Sequence, residues 1–181
     1  MQASSITFSA EPEDKKPEYE RLVDEIIASP HHGDPHQYQY FGVQFAEAPQ
    51  TLEFRFDEQQ SISAVMVHSI RADNLQTALI DYDLQYYAGG EWVNIEQVRT
   101  PLPESVAISS GPTKSSGWYM DQNMFLHRFD TIRTDRLRMV VHRTTFGLLP
   151  DSIAREASGW DTPFTLHLRE VQIFRSAQDN Q

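Results

Sequence analysis

In TLEFRFD, Thr51–Asp57, the apolar residues Leu52, Phe54 and Phe56 alternate one for one with Glu53, Arg55 and Asp57. A period of two puts one set on each face of an extended chain, so this stretch reads as a strand with one buried face. Extended segments then follow one another. ISAVMVHSI, Ile62–Ile70, is apolar enough for a central strand. DYDLQYYAGGEWVNIEQV reads as a hairpin turning at Gly89-Gly90, with Tyr82, Leu84 and Tyr86 inward and Trp92 in the core on the return strand. MFLHRFD and DRLRMVVHR follow, the second with Leu137, Met139 and Val141 on one face, and TLHLREVQIF closes the series. Eight or so strands of this kind predict an all-β sandwich.

The closing strand breaks its own alternation. Leu166 and Leu168 share one parity, Val171 and Ile173 the other. Both pairs reach one core only if an extra residue intervenes, which predicts a β-bulge near Arg169-Glu170. A bulge re-aims its neighbours, here Glu170, which it is expected to aim inward.

Ahead of the strands, Met1–Lys16 is polar and acidic, with Ile6 and Phe8 as its anchors on a short edge strand. In PEYERLVDEIIAS, Pro17 suits a first helical turn, and Tyr19, Leu22, Val23, Ile26 and Ile27 follow helical spacing until Pro30. One short N-terminal helix is expected. The chain thus divides into an N-terminal extension (1–16), a single β-sandwich domain (17–176) and a C-terminal tail (177–181). Thr100–Asn123 and Thr144–Thr165 are long connections rich in Pro, Ser and Gly, and such loops in a compact domain tend to be functional.

Charge and composition narrow the partners. Fifteen Lys and Arg against 26 Asp and Glu give a net charge of −11, which repels a phosphate backbone and an anionic membrane. With no cysteine there is no thiolate catalysis, no Cys-type zinc site and no disulfide. No apolar run reaches the length of a membrane span, and the first residues lack the pattern of a signal peptide. The expectation is a cytosolic protein or a piece of a longer secreted one.

Catalytic signatures are sparse. His31, His32 and His36 crowd into HHGDPH, but zinc needs three or four converging ligands, and adjacent histidines on a Gly/Pro loop point apart. The plain reading is a polar connection into the first core strand. Asp81/Asp83 and Glu18/Glu20 are acidic pairs that read as solvent-facing. G-x-S-x-G, P-loop and G-x-G-x-x-G patterns are absent from the sequence.

The stretch SAVMVHSIRADNLQTALIDYDLQYYAGGEWVNI carries Arg71 in a loop, then Tyr86-Tyr87, Gly89-Gly90 and Trp92. It resembles the central part of the discoidin-like, or coagulation-factor type C, domains of the galactose-binding-like superfamily, which includes many bacterial carbohydrate-binding modules. FLHRFDTIRTDRLRMVVHRTTFG is similar to that family's paired strands, and LHLREVQIF to its closing strand. The resemblance spans Thr51 to Phe174. It departs at LVDEIIASPHHGD, where no Gly follows Asp24, and in the length of the two long loops.

The resemblance implies a jelly-roll sandwich that binds sugar with loops at one end. A sugar site needs aromatic faces and a few fixed polar groups. By position these would be His68, Arg71 and Asn74, then Arg143 and Phe146, with Trp160 in the loop beyond and Trp118 and Tyr119 in the other long loop. The alternative role for each Trp is to plug the end of its own loop. The resemblance also implies a structural calcium, held by Asp24 and Glu170 with backbone carbonyls. The reading is a non-catalytic carbohydrate-binding module of a larger bacterial secreted or surface protein, binding weakly and gaining from multivalency. The alternatives are a protein-interaction domain on the same fold and a metal-dependent enzyme using His31, His32 and His36.

Overall fold

Alternating residues build seven strands among the described residues of a computed structural model, which are 3–10, 18–23, 41–45, 47–69, 79–99, 124–144 and 164–176. The strands are β1 (Ser5–Phe8), β2 (Phe41–Phe45), β3 (Gln50–Ser69), β4 (Leu79–Ala88), β5 (Glu91–Arg99), β6 (Met124–Thr144) and β7 (Phe164–Arg175). All their pairings are antiparallel.

Two strands serve both layers of the sandwich. The first part of β3, Gln50–Arg55, lies between β1 and the Arg136–Val141 part of β6. β4 continues from β6, and β5 from β4, giving a layer ordered β1-β3-β6-β4-β5. The second part of β3, from Gln60 to Ser69, lies between β7 and the Met124–Thr134 part of β6, and β2 closes that layer. The register of β3 on β6 breaks between Arg55 and Gln60, where both chains cross from one layer to the other. TLEFRFD and ISAVMVHSI are therefore one strand, as are MFLHRFD and DRLRMVVHR.

The alternation places the core. Leu52, Phe54, Leu84, Leu137, Met139 and Val141 from one layer, and Val65, Val67, Leu166, Leu168, Val171 and Ile173 from the other, are buried in one cluster. Tyr82 of β4 meets Phe125 and His127 of the opposite layer edge-on, each at 5.6 Å between centroids. At full burial, truncating one such large side chain to alanine costs about 2–5 kcal/mol. The hairpin turns at Gly89 and Gly90 as expected, with φ of +61° and +94°. A two-residue hairpin loop requires left-handed backbone there, so the residue type follows from the turn.

The expected bulge is present. His68 pairs with Glu170 and the next residue, Ser69, with Leu168, so Arg169 is the extra residue. It lets Leu166 and Leu168 share the core with Val171 and Ile173.

Two expectations are corrected. Instead of a helix, Tyr19–Leu22 forms one turn of 3-10 helix, ending at Val23 with φ −141°; the rest of the expected helix, 24–29, lies outside the described residues. A 3-10 turn eclipses residues three apart, which aims Tyr19 and Leu22 together into the sandwich. Tyr19 stacks on Phe41 at 5.7 Å, its hydroxyl accepts the Phe8 N–H at 3.0 Å, and Leu22 is fully buried. Tertiary packing here overrides the helical spacing. Trp92, expected in the core, is instead half-buried on the outer face of its layer, beside Tyr87. The tight turn brings it opposite Tyr87, and Tyr87 has the parity opposite to the inward Tyr86.

Candidate functional site

Three segments hold most of the residues expected to meet a ligand: 70–78, 100–123 and 145–163. The strand ends that flank them sit at one end of the sandwich. Leu79 pairs with Thr144, Asp81 with both Arg99 and Arg143, His68 with Met124, and Ser69 with Leu168. The Leu79 amide donates to Ser69 Oγ at 3.0 Å and ties the two layers together there.

Among the expected ligand residues, His68 and Arg143 are described, and both stand at this end. His68 is 2% exposed, with Nε2 3.4 Å from Gln172 Oε1. Arg143 donates from Nε to Asp81 Oδ2, and its side chain is 38% exposed. One edge of the guanidinium is thus fixed while the side chain still reaches solvent. Arg71, Asn74, Trp118, Tyr119, Phe146 and Trp160 lie outside the described residues, as do His31, His32 and His36.

The acidic pair on β4 is not solvent-facing. Asp81 and Asp83 are 6% and 7% exposed, whereas Glu18 and Glu20 are exposed as expected. Asp83 accepts from Arg99 at 2.6 Å, and its second oxygen lies 2.9 Å from His142 Nε2. Burial pushes the Asp83 carboxyl up, but hydrogen bonds and charge from His142 and Arg99 outweigh it and leave the group below the usual carboxylate range. The sequence carried a signal for this: DYD at one strand end faces HR at the neighbouring one. Two carboxylates thereby hold Arg143, Arg99 and His142 in place on the outer face of the layer, at the strand ends from which the loop segments leave. Beside them Thr144 Oγ1 is buried without a hydrogen-bond partner among the described residues.

Deeper in the core, the Tyr82 hydroxyl lies 2.6 Å from His127 Nε2. Burial raises the phenol well above its usual range, with Glu96 adding to it, and burial lowers the imidazole, with Glu96 opposing. Both groups are thereby held neutral, and the contact is a neutral hydrogen bond.

The bulge gives Glu170 an orientation different from the expected one. Val67 and Val171 face the core as a pair, so the next pair, His68 and Glu170, faces the opposite way. Glu170 is nevertheless 2% exposed. A buried carboxylate on the closing strand suits a hard cation that takes oxygen ligands, so this residue fits the calcium implied by the resemblance. Asp24 lies outside the described residues, among which no group of three or more His, Asp or Glu converges.

No family model matches the chain, and the search of curated proteins finds no relative. Solved structures do resemble it over nearly its whole length. The lectin domain of lectinolysin complexed with Lewis B antigen matches with a TM-score of 0.62 at 12% identity, covering 97% of this chain and 95% of that one. A fucose-binding module from Streptococcus pneumoniae matches at 0.58 with 15% identity, covering 97% and 93%. The family 32 carbohydrate-binding module of C. perfringens NanJ, in complex with galactose, matches at 0.55 with 9% identity, covering 93% and 91%. The chain has the galactose-binding-like β-sandwich fold of these carbohydrate-binding modules and lectin domains.

Proposed function

We propose that this chain is a non-catalytic carbohydrate-binding module that takes its sugar at the loop end of the sandwich. One observation carries the reading: segments 70–78, 100–123 and 145–163, which hold Arg71, Asn74, Trp118, Tyr119, Phe146 and Trp160, all leave from strand ends gathered at one end. The solved structures of the same fold include modules in complex with galactose and with Lewis B antigen, which supports the same ligand class here. Arg143 and the aromatic side chains of the loops supply the two chemistries a sugar needs, hydrogen bonds to hydroxyls and a flat apolar face. Asp81 fixes Arg143 in advance, which lowers the ordering cost of binding.

Calcium belongs to the same proposal. Asp24 and Glu170 would hold it with backbone carbonyls, and the ion would supply a cross-link to the closing strand. Addition of calcium raises the melting temperature of the wild type and leaves that of Glu170→Gln unchanged; equal melting with and without the ion contradicts the assignment. The module acts outside the cell, as part of a larger glycan-active protein.

The function is tested by a glycan-array screen of the folded protein, in calcium and again in EDTA, with Arg71→Ala alongside. Binding to a defined sugar that Arg71→Ala removes supports the proposal. A blank array from a sample with a cooperative melt overturns it in favour of a protein-interaction domain.

A further inference from the structure

The outer face of the β1-β3-β6-β4-β5 layer concentrates arginine in an acidic chain. Arg55 on β3 and Arg136 on β6 face one another directly in register, and Arg138 stands two residues on, facing Glu53. Like charges opposite one another across a ladder are destabilising, and the chain places them there although it has only 15 Lys and Arg against 26 Asp and Glu. Glu53 contacts Arg55 at 2.7 Å and Asp135 contacts Arg136 at 3.6 Å, so the strip retains one guanidinium more than its carboxylates.

Two of these guanidiniums are held by rings. Arg136 Cζ lies 3.7 Å from the Tyr87 ring centroid, and Arg138 Cζ lies 4.2 Å from that of Trp92. The rings meet edge-on at 5.3 Å. Arg138 Nε also donates to Gln85 Oε1 at 2.6 Å, and Gln85 Nε2 donates to Asn94 Oδ1 at 2.6 Å. A planar guanidinium fixed on a ring presents its N–H edge in the fork geometry that matches a carboxylate or sulfate, with little side-chain freedom left to lose. The strip thus has two preset anion forks on one strand, a third guanidinium opposite, and amides beside them that suit hydroxyl groups. A local positive field of this kind acts at close range despite the net charge.

We propose that this face is a second binding surface, separate from the loop end, for an acidic glycan bearing uronate or sulfate groups. An anion lying between Arg55 and Arg136 relieves their repulsion, and the row from Arg55 to Trp92 runs across the strands as a chain-like ligand would. An outer sheet face with flanking amides favours a polysaccharide over an extended peptide, which adds to a sheet edge.

The test is binding of alginate and chondroitin sulfate by isothermal titration, with neutral dextran and poly-glutamate as controls. The proteins are wild type, Arg136→Gln/Arg138→Gln, Arg136→Lys/Arg138→Lys and Arg71→Ala, each checked for an unchanged thermal melt. The expected result is binding of at least one acidic glycan, weakened at least tenfold by the Gln pair and partly by the Lys pair, but unaffected by Arg71→Ala. The Lys pair keeps the charge and loses the fork, so it reports on geometry even where the Gln pair melts early. Loss only in Arg71→Ala moves the acidic glycan to the loop end and overturns the proposal. So does failure of both polymers to bind, or equal binding of poly-glutamate. Because the loop site is read by Arg71→Ala and this face by the Arg136/Arg138 pairs, either can fail alone.

Discussion

Arginine is used in two ways in the same layer. At the loop end, Arg99 and Arg143 meet Asp83 and Asp81, carboxylates that are 7% and 6% exposed. Farther along the same outer face, Arg136 and Arg138 meet Tyr87 and Trp92 rings, and Arg55 meets another arginine in register. The first arrangement is satisfied within the chain, and its loss exposes buried charge. The second leaves guanidinium edges for a partner. A side chain's identity says little about its role; what the register sets opposite it says more.

The largest effect on stability is expected where the carboxylates of the ion pairs are buried. Asp83→Ala removes the acceptor of Arg99 and His142 together, and lowers unfolding free energy by ~1–3 kcal/mol, the water-accessible edge of Arg99 limiting the loss. Denaturant titration measures it, and a value near zero would mean that these carboxylates do not hold the loop end.

Acid gives the next effect, in two windows. Burial lowers His127 below the ordinary 6.5, with Glu96 opposing, so the unfolded chain binds that proton first. Stability therefore falls as pH drops below 6.5 and through the folded value. Asp83, held below the usual 3.8, adds a second loss as pH falls further, through its own folded value. Unfolding free energies at stepped pH should decline in both windows, and His127→Phe should flatten the upper one. A profile that rises toward acid contradicts the burial assignment.

The smallest effect belongs to the outer face. Arg55→Gln removes an exposed contact to Glu53 together with the repulsion by Arg136, two terms that nearly cancel. The expected change is under ~0.5 kcal/mol, and a loss several times larger would make Arg55 a structural residue.

Much of the fold was legible because a strand's period of two is strict. The mismatch of Leu166 and Leu168 with Val171 and Ile173 calls for a bulge near Arg169-Glu170, and the pairing makes Arg169 the extra residue. The same reasoning misjudged Trp92, because bulk beside a turn does not fix the face; only pairing with Tyr87 does. Periodicity also cut β3 and β6 in two, since a strand crossing between layers interrupts its alternation without ending. Asp81 and Asp83 read as surface residues because burial of a carboxylate depends on partners from Arg99, His142 and Arg143, far away in sequence. His68 and Arg143 stand in the last two residues of β3 and β6, where the alternation of each strand gives way to a long connection.

The most direct measurement is an amide chemical-shift titration of the labelled protein with the best sugar from the array. The account predicts perturbations concentrated at Ser69, Leu79, Arg99 and Thr144, the strand ends around the loop segments, with Tyr87 and Trp92 unmoved by a neutral sugar. Shifts confined to the outer face, or none at saturating sugar, would contradict a loop-end site.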